Sequence, residues 1–532
     1  MKLRASAGML CLLCMEGCGG SSGDSFVGSR EDDASAPDWI SSTGESETHD
    51  TERYNRIDDN AFLGVRAHPL STFSIDVDTA AYANVRRFLN DRQLPPPDAV
   101  RIEELVNYFS YDYEPPVGDE PFAVHTELTD CPWAAGHQLL RIGLKGRVID
   151  EEERPASNLV FLIDVSGSMQ SSDKLPLLQR ALTLLTGQMT RDDRIAIVVY
   201  AGSSGVALPS TPGDEQGRIV DAIAGLRAGG STNGGAGIEL AYRIARENFV
   251  EGGSNRVILA TDGDFNVGVT SNGDLTRLIE RQRESGVFLS VLGFGTGNYN
   301  DAAMEQLADR GNGNYAYIDS YEEARKVLVE QIDGTLITIA KDVKIQIEFN
   351  PLQVAEYRLI GYENRVLQAE EFNDDRADAG EIGAGHTVTA LYEIVPAGSG
   401  GAAGAVDPLK YQNATLTENS IASDDLCTIK LRYKQPDWVT SRLLEREIDN
   451  ATRQFADSSV DHRFAASVAA FGMLLRRSPY SGDADWSQVT GIARRAAGVD
   501  REGYRSEFLQ LAYAAAQLDV SRSMETATAA VR

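Results

Sequence analysis

The sequence predicts an α/β protein: a doubly wound, mostly parallel sheet inserted in a β-sandwich formed by its two flanks, followed by a C-terminal helical module. Three patterns carry that expectation. Between residues 156 and 340, short continuous apolar runs alternate with amphipathic segments, as strands do when helices cover both of their faces. Period-two segments lie on both sides of this region, so the flanks can pair with each other around it. The tail from 441 to 532 changes to helical spacing.

Taken in order, residues 1–18 carry Lys2 and Arg4, an apolar stretch from Ala5 to Met15, then Glu16, Gly17 and Cys18. This is a secretory signal, and its resemblance to bacterial lipoprotein signals implies lipidation at Cys18. Residues 19–66 are rich in Ser, Gly, Asp and Glu, too poor in apolar side chains to repay their ordering entropy, and read as a flexible acidic stalk. Residues 67–155 form an N-terminal flank with helix-like AAYANVRRFLN and DAVRIEELVNYF and strand-like PFAVHTEL and LLRIGLKG.

In the 156–340 region, LVFLID, RIAIVVYA, RVILATDG and VFLSVLGFG are the buried strands. KLPLLQRALTLLTGQM, EQGRIVDAIAGLR, AGIELAYRIARENF and DLTRLIERQRES are the covering helices. Ser320 and Glu323 make a capping box that opens the last helix, YEEARKVLVEQI. Residues 341–440 alternate in VKIQIEF, VAEYRLIGYE, TVTALYEIV and CTIKLRYK, giving antiparallel strands. HRFAASVAAFGMLLRR, DWSQVTGIARRAAG and GYRSEFLQLAYAAAQL supply the closing helices, with Phe464, Phe471, Met473, Tyr504 and Phe508 at core spacing.

With 50 basic and 79 acidic side chains the net charge is −29, which repels phosphate backbones and excludes nucleic acid as a partner. Cationic partners and divalent metals fit that balance. No run beyond the signal approaches the roughly 18 apolar residues of a membrane span, so membrane contact is expected through the lipid anchor only. Of five cysteines, Cys131 and Cys427 remain beyond the signal, an even pair that an oxidising compartment can bridge or that can stay as two buried thiols.

The chemistry is concentrated where LVFLID stops. Asp164, Ser166 and Ser168 form D-x-S-x-S at the carboxyl end of a strand, the edge at which doubly wound sheets bind ligands. One carboxylate and two hydroxyls offer a hard cation three oxygen donors. Thr232 in GGSTNGGAG and Asp262 in ATDGD occupy two further loops at the same edge. These five residues, in this order and spacing, resemble the von Willebrand factor A domain and its metal-ion-dependent adhesion site.

That resemblance implies a magnesium ion, or manganese or calcium, with Ser166, Ser168 and Thr232 touching it and Asp164 and Asp262 close behind. Two carboxylates leave such an ion electrophilic, so a protein partner's Asp or Glu is the expected outside ligand. PLSTFSIDVDTAAYANVRRFL, LPPPDAVRIEELVNYFSYDY and SPYSGD are similar to the flanks of a bacterial family of lipoproteins built around such a domain. The resemblance implies an envelope protein, weakly favouring the outer membrane, that binds rather than catalyses. Its likeness to the domain insertion of integrins implies YEEARKVLVEQI as an element that moves.

Two rivals stand beside this reading: a metal-dependent hydrolase and a purely structural envelope protein. Against the hydrolase, no His or Lys is placed by sequence to activate Ser166 or Ser168, and no other nucleophile motif occurs. Asp76-Val-Asp78-Thr79-Ala80 resembles an aspartate phosphatase motif, but Ala80 stands where that motif needs a hydroxyl. It reads as a turn and helix cap. GFGTG at Gly293 to Gly297 lacks dinucleotide-loop spacing and reads as a tight strand exit.

Overall fold

The computed structural model describes residues 52, 54–230, 235–263, 272–296, 300–399, 423–436 and 438–530. Cys18 and the 1–18 signal lie outside them, as do Thr232 and most of the stalk.

Eight consecutive buried residues make β5 (Ser157–Asp164) the centre of a six-stranded sheet. It pairs in parallel with β6 (Arg194–Tyr200) and β8 (Ser254–Thr261), and β9 (Phe288–Phe294) and β10 (Tyr315–Ile318) extend the parallel part. Antiparallel β7 (Ser204–Pro212) closes the edge beside β6. Alternation along β5 shows why it must be apolar throughout. Leu159, Phe161 and Ile163 face α3 (Leu175–Thr186), α4 (Gln216–Gly225) and the last helical segment, while Val160 and Leu162 face α5 (Gly235–Glu247), α6 (Asn272–Arg283) and α7 (Asp301–Arg310).

The flanks build two antiparallel sheets that pack face to face. One runs β1 (Leu63–Gly64), β12 (Val354–Ile360), β14 (Thr387–Pro396), β4 (Gln138–Gly146), β3 (Phe122–Asp130). The other runs β13 (Gly380–Gly383), β11 (Thr338–Phe349), β15 (Asp425–Lys434), β16 (Arg442–Asp449), with β2 (Leu70–Ser74) also on β11. Strands from before and after the parallel sheet thus share ladders, Ile345 opposite Phe73 and Ala390 opposite Ile142. The parallel-sheet region is inserted in the sandwich. Its two ends meet at Ser254, whose amide donates to Ala156 O at 2.9 Å and whose hydroxyl donates to Leu336 O.

Tyr357, Val388, Ala390 and Ile142 point into the sandwich with Ile345, Ile347 and Ile429. Leu139, Leu391 and Ile360 point the other way, into a helical core. That core joins α1 (Ala80–Asn90) and α2 (Ile102–Asn107) to α10 (Val460–Arg476), α11 (Trp486–Arg495) and α12 (Tyr504–Ala530). Phe464 packs edge-on against Phe109 at 4.8 Å and Phe508 at 5.4 Å, so the aromatic residues at helical spacing are core. Among the described residues no helix is long and apolar enough to cross a membrane.

Several expectations need correction. Leu63–Gly64, expected in the stalk, forms β1 on β12, and Arg442–Asp449, expected in the helical module, forms β16 on β15, because both edges offer open ladders. Cys131 and Cys427 are not bridged: both are free and buried, Cys131 in the helical core and Cys427 in the sandwich core, on opposite sides of the first sheet. Burial pushes both thiols up, that of Cys427 to about 12. A reductant is therefore expected to leave the melting temperature unchanged. A thiol reagent followed by peptide mapping should label these two residues only after denaturation, and labelling in the native protein would contradict their burial.

The last helix of the parallel-sheet region is not continuous. It starts as α8 (Tyr321–Arg325), widens into a π-helical turn at Lys326–Glu330 and resumes as α9 (Ile332–Leu336). Lys326 explains the widening, for its buried ammonium donates to Tyr108 O at 2.6 Å on the flank while Gln331 N donates to Lys326 O at 2.8 Å. The capping box is only half formed. Ser320 Oγ accepts from Glu323 N at 3.1 Å, but the Glu323 carboxylate is held by Arg86 at 2.7 Å and by the Tyr108 hydroxyl at 2.8 Å.

Candidate metal centre

β5 delivers Asp164 to the edge of the sheet and the chain turns at once. Asp164 Oδ1 accepts the Ser166 amide at 2.8 Å, and the Ser166 and Ser168 hydroxyls lie 2.9 Å apart. Asp164 and Ser166 are buried, whereas Ser168 is exposed, so the turn opens on one side. The glycine-rich loop is tied to this turn by two backbone bonds, Gly229 N to Val165 O at 2.7 Å and Gly167 N to Gly230 O at 3.1 Å. Thr232, two residues beyond Gly230, falls outside the described residues.

Asp262 arrives from β8, the strand beside β5, and is 1% exposed. Its charge reaches Asp164, whose carboxyl is pushed up to about 6. Burial is the main cause and the Asp262 charge adds to it, against the Ser166 hydrogen bonds and the Tyr200 hydroxyl, which favour the ionised form. Asp164 Oδ2 is buried without a well-formed hydrogen bond. A dense set of oxygen donors with one buried carboxylate oxygen left over fits a hard dication, which would satisfy that atom.

The structure therefore brings Asp164, Ser166, Ser168 and Asp262 to one edge. It adds a residue that sequence reasoning missed. Lys174, just before α3, places its ammonium 2.9 Å from Asp262 Oδ2, deep in the same edge. Six positions after Ser168 in the same turn, it was near enough in sequence to notice, but nothing in the pattern told which carboxylate it would choose. Among the described residues it bonds Asp262 and neither Ser166 nor Ser168.

A second acidic group is differently disposed. One oxygen each from Asp76, Asp78 and Glu305 lie within 4.8 Å of one another, but the Arg365 guanidinium bonds all three, at 3.2, 3.3 and 3.4 Å, and Asp309 at 2.8 Å. A guanidinium already occupies the space a cation would need. Asp76 and Asp78 also accept the Asp78 and Tyr315 amides, so this motif is a turn that anchors the flank to β10. Thr79 stands at the start of α1 without capping it. Glu104 does so instead, accepting from Ala81 N at 2.7 Å.

Known proteins match along most of the chain. The family profile described as von Willebrand factor type A domain matches residues 158–331, that described as von Willebrand factor matches 48–141, and that described as uncharacterized protein YfbK, C-terminal, matches 334–518. The uncharacterized protein YfbK of Escherichia coli (strain K12) is 48% identical over 468 residues, covering 87% of this chain and 80% of that protein. Inter-alpha-trypsin inhibitor heavy chain H3 of Mesocricetus auratus is 28% identical over 198 residues, covering 33% of this chain and 22% of that one. Among solved structures, von Willebrand factor type A from Catenulispora acidiphila covers 73% of this chain and 89% of its own at 15% identity, with a TM-score of 0.40.

Proposed function

Because the chain belongs to the family of the uncharacterized protein YfbK and carries a von Willebrand factor type A domain, we propose that it is a lipid-anchored protein of the bacterial cell envelope that grips a protein partner through a divalent cation. Protein interaction of the adhesion type is the function to which such a domain points. Magnesium is the proposed ion, held by Asp164, Ser166, Ser168, Thr232 and Asp262, with an Asp or Glu carboxylate of the partner completing its sphere. Cys18 is the proposed lipid attachment.

The observation that carries this reading is the buried Asp164 oxygen without a well-formed hydrogen bond, beside two serine hydroxyls at an open turn. When bound, the ion supplies an electrophilic centre for an incoming carboxylate. The chain's own residues orient it: the Asp164–Ser166 bond fixes the turn, and the Gly229 and Gly230 bonds fix the neighbouring loop. Binding rather than catalysis is the proposed role, and the engagement of Lys174 with Asp262 rather than with either serine supports it.

Affinity capture from envelope extract, with magnesium or with chelator, tests the reading on the wild type and on Ser166→Ala with Ser168→Ala. The partner should be retained only by the wild type in magnesium, with at least about tenfold depletion in the other arms. Equal retention in all four arms would remove adhesion through the ion.

A further inference from the structure

We infer that Lys174 is an internal counter-ion of this centre: its ammonium competes with the divalent cation for Asp262 and keeps cation affinity low until an outside carboxylate completes the site. The inference rests on reading the site as a cation centre, and concerns how that centre is regulated.

Lys174 is held for this task from both ends. Its amide donates to Ser171 O at 3.1 Å and its carbonyl accepts from Leu178 N at 2.9 Å, which fixes its backbone at the start of α3. The side chain, 9% exposed, then runs inward to Asp262, whose side chain is fully buried. Its stem crosses Gly295, at the exit of β9. A β-carbon on Gly295 would collide with the Lys174 side chain, and the backbone there has φ +72°, a conformation suited to glycine. The Tyr317 hydroxyl donates to Gly295 O at 2.8 Å and pins that crossing point.

Charge decides the consequence. Asp164 and Asp262 bring two negative charges to the edge and Lys174 cancels one of them. A dication entering beside Asp164 and Asp262 meets one negative charge fewer than it would without Lys174, which leaves more of its positive charge uncompensated in a partly buried setting. A carboxylate from outside removes that excess. Cation and carboxylate must then bind cooperatively, each raising the affinity of the other by the same factor. Without the lysine, the same site would hold its ion more tightly on its own and gain less from a partner.

Calorimetric titration of the purified full chain with manganese alone tests this, using the wild type, Lys174→Gln and Lys174→Arg, with circular dichroism to verify folding. Lys174→Gln is expected to bind manganese at least about tenfold more tightly than the wild type, and Lys174→Arg within about threefold of it. A second measurement needs no variant: excess acetate should tighten manganese binding to the wild type by severalfold after correction for association of the two in solution. Equal affinities in the wild type and Lys174→Gln, or no gain from acetate, would overturn the counter-ion role while leaving the cation centre standing. No manganese uptake by either protein would remove the cation centre itself, and the inference with it.

Discussion

Replacing Arg86 by methionine is expected to lower stability by about 3–5 kcal/mol, the loss seen when one partner of a buried ion pair is removed and the other is stranded. Arg86 lies in α1, in the N-terminal flank, with a side chain 4% exposed. It reaches Asp319 after β10, Glu323 in α8 at 2.7 Å and Glu507 in α12 at 3.1 Å, and donates to the Tyr108 hydroxyl at 2.9 Å. Asp319 and Glu323 are themselves 9% and 1% exposed, so the variant leaves two neighbouring carboxylates shielded from water and without their guanidinium. Denaturant unfolding measures the loss. Glu507→Gln is the control: Glu507 is 37% exposed, and losing its bond should cost under about 1 kcal/mol. A loss of that small size in Arg86→Met as well would show that the network does not join these regions.

Acid should weaken the fold through His462. Its ring is fully buried in α10, with Nε2 2.9 Å from the Thr129 hydroxyl and Nδ1 without a partner. Burial above all, and the Arg141 and Arg463 charges, push it down to about 3, against the opposing pull of Glu127. The unfolded chain takes up this proton near pH 6.5, whereas the folded one refuses it until about pH 3. The stabilising contribution is therefore complete above about pH 6.5 and falls by about 1.4 kcal/mol per pH unit below it. By pH 5 that amounts to about 2 kcal/mol. Unfolding curves of His462→Gln between pH 7 and 5 should be flatter by this amount, and an unchanged slope would show that other groups govern acid sensitivity.

The parts of this fold that were legible in the sequence are those encoded by neighbours. The eight-residue run of β5, the helical spacing of α3 and α5 and the alternation in β11, β14 and β15 each need only a few consecutive positions to declare their period. The Asp164 turn was visible for the same reason. Elements with weak local signals escaped: β7, interrupted by glycine and proline and half exposed; α7, a short helix with few large apolar residues; and β10, only four residues long.

What joins distant segments was not legible at all. Arg365 meets Asp76 across 289 positions and Arg86 meets Glu507 across 421, and no periodicity links a guanidinium to carboxylates so far away. The break in the last helix has the same origin. Its sequence is that of one helix, and the π-helical turn opens where Lys326 is attached to Tyr108, 218 positions away. In the candidate site the carboxylates and serines could be read from motif spacing. The pairing of Lys174 with Asp262 required the fold to bring two strand ends together.

The junction at Ser254 bears on the order in which this chain can fold. Strands such as β2 and β4 emerge early and wait for partners such as β11 and β14, with Ser71 opposite Ile347 and Gln138 opposite Ile394. Closing so long a loop from a random coil is slow and leaves open strand edges for other chains to find. Once the inserted region has folded, however, Ala156 and Leu336 are fastened to the same serine, and the separation to be closed shrinks to a single junction. Order of synthesis and order of assembly are thereby linked. Loosening that junction should first appear as aggregation during expression, before any change in the finished protein.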